Sequence, residues 1–575
     1  MDMKDILSGT SFLAYKTLGA HLTGNGVRFS VFAPNAENVS LIGEFSDWKD
    51  VPMEKDDNGV WCVTEENARE GQMYKFRIET ENGEISDRID PFAFFSEKRP
   101  GNASVIYNPF CYEWNDNDWI LSRKKKFSES MNIYEVHLGS FMKKDDGEFL
   151  SYEETAEKLI PYVKSIGADF IEFMPFTEYP LDASWGYQVS GYYSATSRYG
   201  NPDGLKKLIE KCHQNGIGVI MDFVPLHFVS DYFALNRYDG THIFESDEET
   251  ESHSRWGTML FDFTKPFVMS FLHSAVIFFI ENYHIDGIRF DAVSDMIYRY
   301  GNGDEGLNEP AIWFMKTLNY YISKKYENVM LIAEDSSIFG KVTAPVEYGG
   351  LGFDYKWDLG WMNNTLYYLS LPFEKREYKA YSIHHSMDYF YNENYILPLS
   401  HDEVSHGKKS LINKFYGDFE ERFLQLKLLL VYAFTHPGKK LFFMGTEIPS
   451  EKEWNEYDTL DWENTRREEL TEFFKELSSL YKKYPSLYKN DYDSRFFRWI
   501  ERENDECLFI FERLSDDGDR VKIAINFSDE KVSEKISLSP DEEIILSSGK
   551  AEITRTKTGA TLKLGKLSSA IIGKK

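Results

Sequence analysis

Apolar and polar positions fall into three regimes along the chain. From about Leu18 to Pro109, short runs at 27–32, 38–42, 59–63 and 74–78 alternate apolar with polar residues and are broken by Gly, Asn and Asp. A period of two with such turn signals predicts antiparallel strands and a small β-sandwich. From about Asn132 to Leu487 the apolar runs become continuous, with stretches between them long enough for helices. Eight runs, at 132–137, 168–173, 218–223, 287–291, 329–334, 352–357, 396–401 and 440–444, predict a closed parallel (β/α)8 barrel, whose strands are buried on both faces. Alternation resumes at 495–499, 507–511 and 522–526, predicting a C-terminal antiparallel β domain. The expected fold is therefore α/β, a TIM barrel between two β domains, divided as 1–112, 113–487 and 488–575. A long insertion, 230–263, follows the third predicted strand.

Several of the predicted barrel strands end in an acid. Gly287-Ile-Arg-Phe-Asp291 places Arg289 two residues before Asp291, so both face the same way along a strand. A guanidinium that close favours the ionised carboxylate, and a lowered pKa is expected for Asp291. Gly216-Ile-Gly-Val-Ile-Met-Asp222 ends in an acid with His227 just beyond it. Val329-Met-Leu-Ile-Ala-Glu334 ends in another, and Tyr395-Ile-Leu-Pro-Leu-Ser-His401-Asp402 ends in a His–Asp pair. One such ending means little, but four predict polar groups gathered at the C-terminal rim of the barrel, where barrels of this kind hold their active sites.

These four segments resemble the four signature regions of the α-amylase superfamily, glycoside hydrolase family 13. Leu397-Pro-Leu-Ser-His-Asp-Glu-Val-Ser-His-Gly-Lys-Lys-Ser-Leu411 resembles the glycogen (1,4-α-glucan) branching enzymes in particular. So do Ile133-Tyr-Glu-Val-His-Leu-Gly-Ser140, Ser184-Trp-Gly-Tyr-Gln188, Gly350-Leu-Gly-Phe-Asp-Tyr-Lys-Trp357 and His436-Pro-Gly-Lys-Lys-Leu-Phe-Phe-Met-Gly445. The N-terminal strands, with Phe32-Ala-Pro-Asn35 and Glu44-Phe-Ser-Asp-Trp48, resemble a starch- and glycogen-type carbohydrate-binding module. Trp48 there either stacks on glucan or packs on its own domain. The extra N-terminal domain of many bacterial branching enzymes is not expected.

The resemblance implies an enzyme that cleaves an α-1,4 glucosidic bond by retaining double displacement and transfers the chain to a 6-hydroxyl. Such chemistry needs an ionised carboxylate to attack and a protonated carboxyl about 5 Å away to protonate the leaving oxygen. Asp291 is the expected nucleophile, Glu334 the acid/base and Asp402 a third carboxylate that grips sugar hydroxyls. Arg289, His227 and His401 are expected to bind substrate, and Tyr187 to stack on the sugar. Asp222 is expected to orient Arg289 and the histidines. An α-glucan hydrolase of the same superfamily, of glycosyltrehalose trehalohydrolase or amylase type, is the alternative. A glucan-binding protein without activity is disfavoured by the intact acid set. Leu226 stands where related amylases have a calcium-ligating asparagine, so no metal and no cofactor is expected. The segment Gly445-Thr-Glu-Ile-Pro-Ser450 departs from the family pattern, which puts acceptor contacts near Glu447 in doubt.

Charge narrows the partners. A formal net charge of −29 repels nucleic acid and anionic membranes but is indifferent to a neutral polysaccharide. Cys62, Cys111, Cys212 and Cys507 lack metal or redox spacing, so reduced thiols are expected. No signal peptide or membrane-length apolar run is apparent. A cytoplasmic monomer acting on α-glucan is the expectation.

Overall fold

The computed structural model describes residues 3–248, 251–502, 506–556 and 559–574. At its centre eight parallel strands close into a barrel. They are β1 (Asn132–Val136), β2 (Phe170–Phe173), β3 (Gly218–Phe223), β4 (Gly287–Phe290), β5 (Met330–Ala333), β6 (Tyr355–Trp357), β7 (Tyr395–Leu399) and β8 (Lys439–Phe443). The ring closes where β8 pairs with β1, Asn132 opposite Lys440, so no sheet edge is left open. Every residue of these strands is buried, which is why their apolar runs are continuous rather than alternating.

Ile133, Phe170, Ile220, Met330, Ile332, Tyr355, Trp357, Ile396 and Leu441 form one apolar cluster, contributed by seven of the strands, which plugs the barrel. Gly218 is required by that packing, because a Cβ there would sit 2.3 Å from the Phe170 ring. Polar side chains of β1 to β4 stand above the plug: Glu135, Glu172, Asp222 and Arg289, all buried.

Two of the long helices start at capping boxes written in the sequence. Ser151 with Glu154 and Asp418 with Glu421 form capping boxes on Tyr152–Ser165 and Phe419–Thr435. Pro266–Tyr283 is apolar almost all round because it is buried almost all round. The N-terminal sandwich covers it, with Phe32 tilted against Phe267 (4.4 Å) and Phe94 stacked on Phe278 (5.2 Å).

That sandwich packs a four-stranded sheet, including Gly26–Phe32 and Val60–Glu65, on a sheet built around Ala36–Gly43 and Met73–Thr80. At the other end a five-stranded antiparallel sheet and a three-stranded sheet share an apolar cluster that includes Ile510, Val532, Leu562 and Ile572.

Among the expected strands that begin late, two have a visible local cause. In 352–357 only Tyr355–Trp357 is strand, because Gly352 turns at φ +82° and Asp354 uses its carboxylate to accept from Leu331 N and Lys125. In 495–499 the strand starts at Phe497, since Asp493 accepts from the Arg495 amide and winds Ser494–Phe496 into a 3-10 turn. The insertion after β3 is fastened by a two-residue pair, His227–Phe228 with Met259–Leu260.

Candidate active site

Arg289 is the hub of the barrel mouth. It is fully buried on β4, and Trp357 lies under its guanidinium at 4.5 Å. Nη1 donates to both oxygens of Asp222 (2.7 and 2.8 Å) and to Oδ1 of Asp291 (2.8 Å). Nη2 lies 3.1 Å from Oε2 of Glu334. Strand register sets this up, because Asp222 on β3 pairs with Arg289, and Asp291 and Glu334 are the first residues past β4 and β5. One cation thus gathers three carboxyls from three adjacent strands.

Ala292 adds a second restraint. Its φ of +54° turns its amide onto Oε2 of Glu334, a 2.7 Å bond. Oδ2 of Asp291 and Oε1 of Glu334 take no part in these bonds. The Asp291 and Glu334 side chains are 15% and 19% exposed, against 1% for Arg289, so the two acids meet solvent at the mouth while the cation does not.

Burial raises the Asp291 carboxyl well above the usual range, and the charges of Glu334, Asp222 and Asp402 add to it, outweighing Arg289. The expected lowering is therefore overturned: Arg289 does bind Asp291, but it serves three acids at once. Glu334 is raised too, first by burial and then by Asp402 and Asp222, against Arg289 and the Ala292 amide. Asp402 goes the other way, since His401 and Arg289 hold it below the usual range despite burial.

His401 and Asp402 open a 3-10 turn just past β7. Glu135 on β1 accepts from the His401 amide (2.9 Å) and from its Nδ1 (2.5 Å). Burial alone would lower the His401 pKa, but Glu135 and Asp402 reverse this and lift it to about 9. His401 is thus an imidazolium at neutral pH, with Nε2 3.6 Å from Asp402. Tyr187 stacks on the His401 ring (5.4 Å) and donates its hydroxyl to Asp222 at 2.6 Å.

Glu135 and Glu172 belong to the site as well, and the sequence motifs do not single them out. Glu135 lies in a motif quoted above, and an acid inside a wholly buried strand was the available signal. Glu172 is fully buried on β2 with both oxygens unpartnered, and burial, followed by the charges of Glu135 and Asp222, raises its pKa well above the usual carboxylate range.

Other candidates lie apart from the hub. His227 is buried, lowered to about 4 by burial, and packs against Trp256 of the insertion (5.3 Å) rather than on the acids. Trp185 is buried, stacked on His406 at 4.3 Å with its edge on Trp454, so it lies under the rim rather than on it. Glu447 is fully buried and accepts from the hydroxyls of Tyr134 (2.7 Å) and Tyr162 (2.5 Å), a packing role rather than an acceptor contact. Trp48 sits on a left-handed turn, 39% exposed. Among the described residues no group of three or more His, Cys, Asp or Glu is disposed to hold a metal ion.

Residues 17–93 match the model of carbohydrate-binding module 48 (isoamylase N-terminal domain), and 139–256 match the alpha amylase catalytic domain. The chain is similar to the 1,4-alpha-glucan branching enzyme GlgB of Bacillus caldolyticus, 43% identical over 559 residues, covering 94% of this chain and 84% of that protein. It is 44% identical over 549 residues to 1,4-alpha-glucan branching enzyme GlgB 1 of Clostridium perfringens (strain SM101 / Type A), covering 90% of this chain and 81% of that protein. In fold it is similar to a pullulanase from Anoxybacillus sp. LM18-11 solved with maltotetraose, with a TM-score of 0.78 at 16% identity over 100% of this chain and 89% of that one. At that identity the likeness speaks for the fold alone. With the sequence likeness spanning nine-tenths of its length, the chain belongs to the 1,4-alpha-glucan branching enzyme GlgB family.

Proposed function

We propose that the chain is a glycosyltransferase that cleaves an α-1,4 bond of an α-glucan and rejoins the freed chain to a 6-hydroxyl, forming an α-1,6 branch. The observation that carries this reading is the Arg289-bridged pair of Asp291 and Glu334 in a chain of the branching family.

Two carboxyls raised together and coupled through one guanidinium titrate as a pair that gives up its two protons in separate steps. Between those steps the pair holds one proton, the state a retaining displacement needs. The resemblance assigns the charge to Asp291 as nucleophile and the proton to Glu334 as acid, and Arg289 holds both, Asp291 through Nη1 and Glu334 through Nη2. Oδ2 of Asp291 attacks the anomeric carbon while Oε1 of Glu334 protonates the leaving oxygen. Glu334 then takes a proton from the arriving 6-hydroxyl, and the glucosyl–Asp291 bond breaks.

Asp402, ionised beside the His401 imidazolium, grips ring hydroxyls as positive charge develops, and the fixed imidazolium donates to the same sugar. Arg289 remains in place throughout, so charge builds against a cation that does not have to move. Asp222 holds Arg289, and Tyr187 holds Asp222. His227 acts as a neutral donor. The three units, 1–112, 113–487 and 488–575, work as a glucan-binding module, the catalytic barrel and a stabilising β domain. The protein is a monomer in the cytoplasm acting on a neutral polymer. Its net charge of −29 disfavours nucleic acid and anionic lipid, and among the described residues no helix is long and apolar enough to cross a membrane.

The decisive experiment is amylose digestion followed by iodine absorbance, NMR and a reducing-end assay. Iodine absorbance is expected to fall and α-1,6 signals to appear, with few new reducing ends. Reducing ends rising in step with bond cleavage, without α-1,6 signals, would make the protein a hydrolase.

A further inference from the structure

The insertion after β3 is tied along one side to the N-terminal module. Arg88, the last residue of the module strand Ile85–Arg88, is buried and reaches into the insertion. Its Nη1 donates to the carbonyls of Tyr232 and Asn236, the latter at 2.9 Å, and its Nη2 to that of Arg237 at 3.0 Å, while Nε donates to the Ser86 hydroxyl at 2.8 Å. All four acceptors are neutral. A guanidinium buried on neutral partners is costly, and burial lowers the Arg88 pKa. In return it collects three main-chain oxygens of the turn 232–239, which belongs to no helix or strand, and such oxygens need a donor once they are covered. Arg237 in that turn has a φ of +45°, a strained conformation that persists only where the surroundings over-determine it.

Around Arg88 the two parts interlock. The Ile89 amide donates to Phe233 O (3.0 Å), and Ile89 O accepts from the Tyr238 hydroxyl (2.7 Å). Asn35 donates through its amide to the buried Asp239 (2.8 Å) and through its carboxamide to Thr241 (3.0 Å). Ile89, Val229 and Ala234 form a small apolar cluster, and Gly240 lies so close that a Cβ there would sit 2.5 Å from the Thr80 side chain. Further along, the insertion meets His227. Met259–Leu260 pairs with His227–Phe228, and Trp256 packs on the His227 ring at 5.3 Å. The buried Nδ1 of His227 has no hydrogen-bond partner among the described residues, so packing orients the ring. We propose that Arg88 is a positioning residue for His227: it fixes the turn 232–239 on the N-terminal module, so that the insertion presents Met259–Leu260 and Trp256 to His227 in one place. This rests on the assignment above of His227 as a hydrogen-bond donor to the sugar. It gives the N-terminal module a part in the barrel's chemistry that requires no sugar on the module itself.

The test uses the full chain. Arg88→Met keeps much of the side chain's length and removes its donors. Amide hydrogen exchange over 229–245 is expected to rise about tenfold or more in this variant, with exchange in β1 and β5 unchanged. With amylose and iodine absorbance as the assay, kcat/KM is expected to fall about tenfold. Arg88→Lys, which keeps a cation with three donors, should recover most of that loss. The deciding readout is a double-mutant cycle with His227→Ala, because a merely structural role would lower activity in either background. If Arg88 acts through His227, Arg88→Met lowers kcat/KM by less than about twofold once His227 is alanine. Equal factors in both backgrounds would overturn the inference, as would a His227→Ala enzyme as fast as wild type or unchanged exchange over 229–245. If Arg88→Met does not fold, Asp239→Ala, which cuts the tie to Asn35, goes through the same exchange measurement and cycle, and the same outcomes decide. If the native enzyme releases reducing ends and forms no α-1,6 linkages, the branching reading falls. The cycle, run on bond cleavage, then still decides whether Arg88 positions His227.

Discussion

The four-residue strand β4 has an aspartate at each end, and the two are used in opposite ways. Asp286, just before it, is buried and saturated with donors: Trp119 and Arg123 on Oδ1 (2.8 and 3.2 Å), His213 and the Val219 amide on Oδ2 (3.0 and 2.7 Å). Despite burial, His213 and Arg123 hold its pKa below the usual range. Asp291, just after the strand, accepts from Arg289 with one oxygen and is pushed the other way by burial and by three neighbouring acids. A carboxylate whose lone pairs are all filled has nothing left to attack with. One held by a single oxygen and crowded by like charge is oriented, and its unused oxygen can form a new bond. The difference between structural and reactive acid is thus a difference in donors per oxygen, not in residue type or burial.

The largest effect expected from this contrast is at the open end. Asp291→Asn should lower kcat by about four orders of magnitude or more, because the covalent path is lost. Stability should be unchanged or higher. A carboxyl whose folded pKa is raised costs stability wherever it is ionised above its unfolded pKa, and the neutral amide removes that cost. Activity within about tenfold of wild type, by iodine absorbance and branch-point assay, would remove Asp291 as nucleophile. A sharp fall in melting temperature would instead mean that Asp291 is as structural as Asp286.

At the closed end the prediction inverts. Asp286→Asn should cost about 3–5 kcal/mol, the usual result of removing one partner from a buried ion pair. Specific activity per folded molecule should stay within about twofold. The sign with pH follows from both partners. Asp286, with a depressed folded pKa, stabilises fully above about 3.9, and this is lost as pH falls through the folded value. His213 is raised by Asp286 and Asp116 in spite of burial, so its contribution is full below about 6.5 and is lost as pH rises through the folded value. Urea melts across that range check both; an unchanged midpoint in Asp286→Asn would break the link between saturation and structural role.

Only one end of this contrast was legible in the sequence. Asp291, Glu334 and Asp402 could be found because each terminates an apolar run, and strand alternation alone placed Arg289 on the side of Asp291. Asp286 precedes its run, and its donors come from Trp119, Arg123 and His213, far off in the chain, so no local pattern announced it. The lowered pKa expected of Asp291 fails because burial outweighs Arg289 and the charges of Glu334, Asp222 and Asp402 add to it, and the segment by itself shows only Arg289. The eight barrel strands were readable because complete burial writes itself as unbroken apolar runs. The contact of His227 with Trp256 was not, since it depends on how the insertion folds back over β3.

A smaller effect is expected at Glu135, which resembles Asp286 in burial but serves the reactive end by fixing His401. Glu135→Gln removes the charge that most raises the His401 pKa, leaving Asp402 to oppose burial and Arg289. The other ionisable groups around this site are Glu172, Asp222 and the buried His137. An NMR titration should give a His401 pKa of about 9 in wild type and a lower value in the variant. Activity at pH 8 should fall by about tenfold or more, with a smaller loss at pH 6, because the imidazolium survives there. Equal losses at both pH values would reduce Glu135 to packing.

The smallest expected effect is none at all. Dialysis against a strong chelator should leave activity and melting temperature unchanged, and the reason lies in what balances the acids at each end of β4. Hard divalent cations seek several carboxylate or carbonyl oxygens converging on one point. At the reactive end the oxygens of Asp222, Asp291 and Glu334 do converge, but on the guanidinium of Arg289, whose positive charge already occupies that point. At the structural end the oxygens of Asp286 are filled by an indole, a guanidinium, an imidazole and an amide. Beside His227, where an asparagine would offer an oxygen, Leu226 is buried and presents only methyl groups. Activity lost to the chelator and restored by calcium alone would show that a cation, rather than Arg289, balances one of these acid groups, and the comparison would have to be redrawn around it.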